Sequence, residues 1–212
     1  SPQGSAPGTS ITVSNLFQNV PARLKFLKSK SAEISRIHVL LHHFAIAFPT
    51  VRFSLHLDGR TSFTSPGSNE LLNACSAVYG TMTAKSLLNV AYAGDDAEAV
   101  NVQGLISPPD ISRANRSYIS IIVNRRWIHN RALNYAVEEA YRGFLVERRY
   151  PIAVIHLAIP TQDLDVNVHP AKLEVRFHHE REVFSILQRA IRAALVDLSP
   201  VPTVRSSFTS IR

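Results

Sequence analysis

The sequence predicts an α+β fold, a mixed sheet with helices packed on one side, and three observations carry that expectation. Apolar residues recur at helical spacing from Ser31 to Phe48 (Ile34, Ile37, Leu41, Phe44, Ala45, Phe48), closed by Pro49. Strict alternation follows, Val51, Phe53, Leu55 and Leu57 against Arg52, Ser54, His56 and Asp58, and runs into Asp58-Gly59, a hairpin signal. Beyond it, strand and helix patterns are mixed rather than strictly alternating, with no internal repeat.

Taken in order, the first ten residues lack bulky apolar side chains and read as a loop. Ile11-Thr12-Val13 predicts a strand. Pro21 suits the first position of a short helix through Leu27, and Ser31 is the expected N-cap of the next one. After the hairpin, Ser68 to Tyr79 predicts a helix ended by Gly80. Strands are expected at 87–93 and 97–106, turning at Gly94-Asp95-Asp96, and at 118–123. A helix over 131–145, a strand over 153–159, an extended piece ending at Phe177 and a helix over 180–195 follow. From Ser199 the prolines and hydroxyl residues read as the start of a linker.

Composition narrows the classes. The 212 residues, 45% hydrophobic, suffice for one domain with extra elements. No apolar run reaches the ~20 residues that span a bilayer. The first eight residues have neither the basic nor the apolar region of a signal peptide. The single cysteine, Cys75, excludes an internal disulfide and reads as a small buried residue. A soluble, intracellular chain is the expectation. Net charge is +7, and 18 of the 23 cations are arginine. Between Arg113 and Arg149 eight arginines face only Glu138, Glu139 and Glu147, a local balance of +5 that suits either a polyanion partner or a solvated surface.

No self-contained active site emerges. Tyr79-Gly80-Thr81-Met82-Thr83-Ala84-Lys85-Ser86 shares only its Lys-Ser ending with a phosphate-binding loop, since Tyr79 and Ala84 stand where glycines are needed. The pairs His42-His43 and His178-His179 are adjacent and lack the i, i+4 spacing of metal ligands. Asp163 and Asp165 can share a strand face, but no second polar cluster accompanies them.

Two stretches are more particular. One is Gly8-Thr9 followed by Leu16-Phe17-Gln18-Asn19-Val20-Pro21-Ala22-Arg23-Leu24-Lys25-Phe26-Leu27. The other is Asp165-Val166-Asn167-Val168-His169-Pro170-Ala171-Lys172-Leu173-Glu174-Val175-Arg176-Phe177. In the second, a lysine just after a restricted His-Pro can serve as a point charge on phosphate, or simply be a solvated surface residue. Together with Val123-Asn124-Arg125-Arg126, these stretches resemble the signatures of the MutL mismatch-repair family, in the right order along nearly the whole chain.

The resemblance implies the ribosomal-protein-like second domain of gyrase- and MutL-type ATPases. Residues 1–30 become the C-terminal piece of the ATPase domain, 31–198 the transducer domain and 199–212 the start of a linker. It implies that Thr9 lies near the ATP phosphates and that Lys172 reaches the γ-phosphate from the second domain. It also implies that Arg131, with Arg126 and Arg125, contributes to non-specific DNA binding. Arg125 departs from the family's usual glycine. ATP and magnesium are expected in the intact protein and none in this chain, which lacks the ATPase core and is expected to be inactive alone. The implied partners are DNA, the mismatch-recognition protein MutS, a downstream nuclease or helicase, and a second copy; no membrane is implied. The implied location is the cytoplasm, at a bacterial nucleoid. The rivals are a nucleic-acid-binding module of the same fold without an ATPase link, which leaves the Gly-Thr and His-Pro-Ala-Lys motifs unexplained, and the second domain of a topoisomerase or chaperone.

Overall fold

In the computed structural model of the chain, residues 7–94, 99–166 and 174–198 are described. The chain divides into two compact units, Ser1–Val39 and Leu40–Arg212, the division falling within one helix. In the first unit, Asn15 and Phe17 take left-handed backbone (φ 53° and 66°) and turn the chain into α1 (Pro21–Leu24), with proline at its first position as expected. α2 (Lys30–Ala47) begins one residue before the expected cap. The hydroxyl of Ser29, not Ser31, accepts from the Ala32 N–H at 3.4 Å, and the Glu33 carboxylate reaches back to the Lys28 N–H at 3.0 Å. The expected strand at Ile11–Val13 does not form. Among the described residues nothing pairs with it, and an isolated strand gains no ladder bonds to offset its ordering.

The second unit opens with the expected hairpin, β1 (Ser54–Leu57) and β2 (Arg60–Thr64). Asp58 and Gly59 both have positive φ (48° and 78°), the geometry whose twist matches the flanking strands. α3 (Leu71–Tyr79) ends at Gly80 (φ 88°), and a short α4 (Thr81–Lys85) occupies the stretch that shares only Lys-Ser with a phosphate loop. Then come β3 (Leu88–Tyr92), β4 (Asn101–Ile106), β5 (Ser112–Arg113), β6 (Ile119–Val123) and β7 (Arg126–Ile128). α5 (Arg131–Ala140) stops five residues short of expectation, and Gly143 (φ 87°) turns the chain away. β8 (Tyr150–Pro151), β9 (Ala153–Ala158), β10 (Leu164–Asp165), β11 (Arg176–Phe177) and α6 (Glu180–Leu198) complete the order. Among the described residues, no helix is long and apolar enough to cross a membrane.

Five strands form the main sheet in the order β3-β4-β9-β6-β7. β6 and β9 are parallel, with α5 in the connection, and every other neighbour pair is antiparallel, so the sheet is mixed as expected. The helices do not keep to one side. α5 and α6 cover the face that carries Val102, Ile121, Val123, Ile155 and Leu157. The end of α2, with α3 and α4, covers the face that carries Leu105, Ile122 and Val154. The sign of a second covered face is β6 itself: Ile119-Ser120-Ile121-Ile122-Val123 is buried at all five positions, a continuous apolar pattern rather than an alternating one. Gly104 of β4 lies so close to β9 that a Cβ there would clash with the Val154 carbonyl oxygen.

Polar and aromatic contacts pin the end of α2 to the sheet. The His156 Nε2–H of β9 donates to the Ile46 carbonyl at 3.0 Å. The His43 ring stacks on Trp127 of β7, centroids 3.7 Å apart, and its Nδ1 is 3.4 Å from the Ser120 hydroxyl. Burial, and then the nearby His129 and His42, hold the His43 imidazole neutral, with its pKa lowered to about 4. Burial also lowers that of His156.

A depressed histidine pKa has a definite sign. The unfolded chain takes up the proton near pH 6.5 and the folded chain only near 4, so the stabilisation is complete above the first value and is lost as pH falls to the second. The unfolding free energy from urea titration should fall between pH 6.5 and 4, by on the order of 3 kcal/mol from His43 alone. His43→Phe, which keeps a ring against Trp127, should flatten that decline; an unchanged pH profile would refute the assignment.

Candidate nucleic-acid interface

The interface grows from the end of β6. Val123 pairs with Arg126 across a two-residue turn in which Asn124 and Arg125 both have positive φ, 47° and 67°. Asn124 tolerates that backbone and uses its side chain to clamp the sheet. Its Nδ2–H donates to the Ile159 carbonyl at 2.8 Å and its Oδ1 accepts from the Ile159 N–H at 2.9 Å, while its own N–H donates to Leu157. The turn is thereby locked to the end of β9.

Arg125, where the resemblance leads to an expectation of glycine, carries the full cost of a left-handed β-carbon. Its guanidinium lies over the Phe48 ring at 5.3 Å, on the α2 face of the sheet. Arg126 goes the other way. It sits opposite Val123, whose side chain is in the α5–α6 core, and two positions before the buried Ile128 of that core, so strand alternation puts it on the α5 face. Arg131 is the first residue of α5. The structure therefore gathers Arg126 and Arg131 on one side and separates Arg125 from them.

α5 starts with Asn130 as its N-cap, the side chain accepting from the Leu133 N–H at 2.9 Å. Its first turn holds no acidic residue, so the helix end presents N–H groups and an arginine together. A cation there opposes the helix dipole by about 0.3–1 kcal/mol, and an anion in front of it removes that cost. The rest of the arginine-rich stretch is partly neutralised. Arg116 binds Glu138 through two nitrogens (2.6 and 2.9 Å) and lies over Tyr150, and Arg142 pairs with Glu139 at 2.5 Å. Arg149 donates to the hydroxyl and carbonyl of Ser112, and Arg113 lies over Tyr118. Arg126 and Arg131 are exposed and meet no carboxylate among the described residues. They can neutralise phosphates.

α6 runs parallel to α5. The Asn130 side chain touches Glu180 at the start of both helices (3.4 Å), Tyr135 and Phe184 pack in the middle (centroids 6.2 Å), and Arg192 donates to the carbonyls of Ala140 and Arg142 at the far end. Glu182 of α6 faces elsewhere and, with Asp163 and His179, lines a cleft of about 300 Å³ beside Tyr92 and Val100.

Of the two expected nucleotide contacts, only Thr9 lies among the described residues. Thr9 is exposed, in the first unit and outside any helix or strand. Lys172 falls among residues 167–173, outside the described ones. The strands on either side of it in sequence, β10 and β11, pair antiparallel, with Leu164 opposite Phe177 and both packed on the α5–α6 core. Sequence reading missed the Asn124 clamp and the Phe48 partner of Arg125. Asn followed by Arg gave a turn signal only once the register across it was known.

Two substitutions separate clamp from strain. Asn124→Ala should destabilise by about 2–4 kcal/mol in urea, because it leaves two backbone groups of Ile159 unpaired and strains the turn. Arg125→Gly should stay within about 1 kcal/mol of the parent, the relief of left-handed strain offsetting the lost ring contact. A large loss on Arg125→Gly would mean that the stack on Phe48, not the turn, holds this corner.

The model of the DNA mismatch repair protein C-terminal domain matches residues 75–196, more than half of the chain. The DNA mismatch repair protein MutL of Limosilactobacillus reuteri is 40% identical over 203 residues, which is 96% of this chain and 30% of that protein. The protein of the same name in Streptococcus sanguinis is 40% identical over 201 residues, 95% of this chain and 31% of that one. The chain thus spans about a third of the length of these relatives. Among solved structures, the N-terminal domain of a DNA repair protein superposes with TM-score 0.71 at 22% identity, over 86% of this chain and 60% of that one. The Aquifex aeolicus MutL ATPase domain complexed with ADP gives 0.54 at 20%, over 82% and 55%. At these identities the structural likenesses establish the fold.

Proposed function

We propose that this chain, which belongs to the DNA mismatch repair protein family, is the transducer region of a MutL-type ATPase with a piece of the nucleotide-binding domain attached. In this reading residues 31–198 couple ATP binding to domain closure and hold DNA through backbone phosphates. The observation that carries it is the pair Arg126 and Arg131, exposed on one face beside an acid-free helix start. Phosphate contacts of this kind position a duplex or a strand without reading its sequence.

The nucleotide arm rests on the resemblance of Gly8-Thr9 and His169-Pro170-Ala171-Lys172 to the family's signatures, and on the ADP bound by the Aquifex relative. Lys172 is assigned to the γ-phosphate and Thr9 to the neighbourhood of the phosphates, with magnesium and the catalytic groups supplied by the rest of the intact protein. One feature supports assigning residues 1–30 to the nucleotide-binding domain. None of the described residues of the first unit is buried, and Ile11, Val13 and Phe26 are more than 70% exposed. Such side chains suit a surface covered by another part of that domain. Closure around DNA would bias a two-state arrangement in favour of signalling to a mismatch-recognition protein and to a nuclease or helicase, in a cytoplasmic homodimer.

Binding of a labelled oligonucleotide by the 212-residue chain tests the DNA arm. With the two phosphates that Arg126 and Arg131 can neutralise, affinity for a duplex should fall about 12-fold between 50 and 200 mM salt. Arg131→Glu should weaken it further and flatten the salt dependence; no binding at 50 mM salt, or no effect of the substitution, rejects this arm. In the intact protein, Lys172→Ala should lower ATP affinity at least about tenfold while leaving the salt dependence of DNA binding unchanged. Equal ATP affinity in the variant would remove the lysine from the nucleotide site.

A further inference from the structure

We propose that β3, an outermost strand of the main sheet, pairs edge to edge with β3 of a second copy of this chain, so that two five-stranded sheets join across a two-fold axis. The homodimer of the intact protein proposed above specifies no surface, and self-pairing at β3 depends on neither DNA nor nucleotide.

A sheet in the order β3-β4-β9-β6-β7 ends in two strands, each with one side of its backbone outside the ladder. Such edges are commonly blunted by shortness, by charge or by a cover. β7 is blunted, with three residues that begin at Arg126 and follow Arg125. β3 is not. Its five residues, Leu88-Asn89-Val90-Ala91-Tyr92, hold no charge and no proline. Among the described residues, no backbone hydrogen bond reaches its outer edge.

The strand is its own complement. Val90 is buried in the α5–α6 core and Leu88 and Tyr92 pack on it, while Asn89 and Ala91 alternate to the other face and are exposed. Antiparallel pairing centred on Val90 sets Leu88 opposite Tyr92 of the second copy, Val90 opposite its own counterpart and Asn89 opposite Ala91. Aliphatic–aromatic pairs across strands are favourable, and no like charges meet.

α6 supplies charge complementarity along the same seam. β3 is parallel to β9, since each is antiparallel to β4. α5 returns the chain from β6 towards the start of the parallel β9 and so runs against both, and α6, parallel to α5, runs antiparallel to β3. Its flank towards β3 carries Glu182, which lines the cleft beside Tyr92. Seven residues on, Arg189 returns to that flank about 10 Å along the axis. Both are exposed. Leu88 and Tyr92 are separated by a similar length, about 13 Å along the strand. A two-fold axis at Val90 therefore places Glu182 of each copy opposite Arg189 of the other. A contact of this isologous kind closes at two copies.

Sedimentation equilibrium of the 212-residue chain between about 1 µM and 1 mM tests the pairing. The weight-average mass should climb from one chain towards two and stop there. Asn89→Lys combined with Ala91→Lys sets like charges against each other twice and should weaken association at least about tenfold. Asn89→Lys combined with Ala91→Glu sets opposite charges together and should retain it. Both positions are exposed, so the urea midpoints of the variants should match that of the parent. Glu182→Arg should also weaken association, and adding Arg189→Glu should restore it. A chain that stays monomeric throughout, as an edge reserved for an extended segment of another protein would, overturns the proposal. So does a dimer that the two lysines leave untouched, or an equal loss in the Lys–Lys and Lys–Glu variants.

Discussion

The parallel pairing of β6 with β9 is the constraint from which the rest of the second unit follows. Parallel strands cannot be joined by a tight turn, so the chain must cross back through a longer connection, and here that connection contains α5. The crossover places the start of α5 near the carboxyl end of β6, where Asn124 ties the turn to Ile159 just beyond the end of β9. Ligands of open sheets gather outside the carboxyl ends of parallel strands, because helix starts converge there. In this chain that end also carries Arg126 and Arg131. The same pairing buries β6 on both faces, which requires the second layer of helices from α2, α3 and α4.

Charge on this surface is not distributed as the sequence count suggests. The arginine-rich stretch nets +5, yet Arg116 and Arg142 are paired, Arg149 is bonded to Ser112, and Arg125 is drawn to Phe48 on the other face. Exposed ion pairs of this kind contribute about 0–1 kcal/mol to stability. Their larger consequence is to remove charge from the far end of α5 and leave it at the near end. What a polyanion meets is therefore a local feature of a few side chains rather than the mean field of the domain.

Much of the fold was legible where a short-range rule acts alone. Asp58-Gly59 between alternating residues gave the hairpin, Gly80 ended α3, and the helix expected over 180–195 is α6. Legibility failed where a distant partner decides. Ile11–Val13 has the composition of a strand but no neighbour to pair with among the described residues, while Arg126–Ile128, not expected as a strand, is one because β6 lies beside it. The capping hydroxyl slipped from Ser31 to Ser29, since both precede the apolar pattern and only the chain path distinguishes them. The site followed the same rule. Arg126 and Arg131 were readable as candidates, but the departure of Arg125 to the opposite face depends on Phe48, far away in sequence.

The pairing of β10 with β11 bears on the proposed role of Lys172 for a similar reason. Two residue pairs make a ladder too short to set its own register. Register here comes from Phe177, which is buried, and Leu164, which packs on the same core, with a further bond from the His178 N–H to the Asp163 carbonyl at 3.0 Å. A lysine that acts by position needs such an anchor, because any slip at the base would move it relative to a phosphate by whole residues. The core beneath Phe177 is the one that seats α5 and α6. In the proposed mechanism, the anchor of the nucleotide-sensing lysine and the scaffold of the DNA-facing helices are thus a single packed body. A displacement imposed on one through Lys172 would be transmitted to the other by close packing rather than by a separate relay.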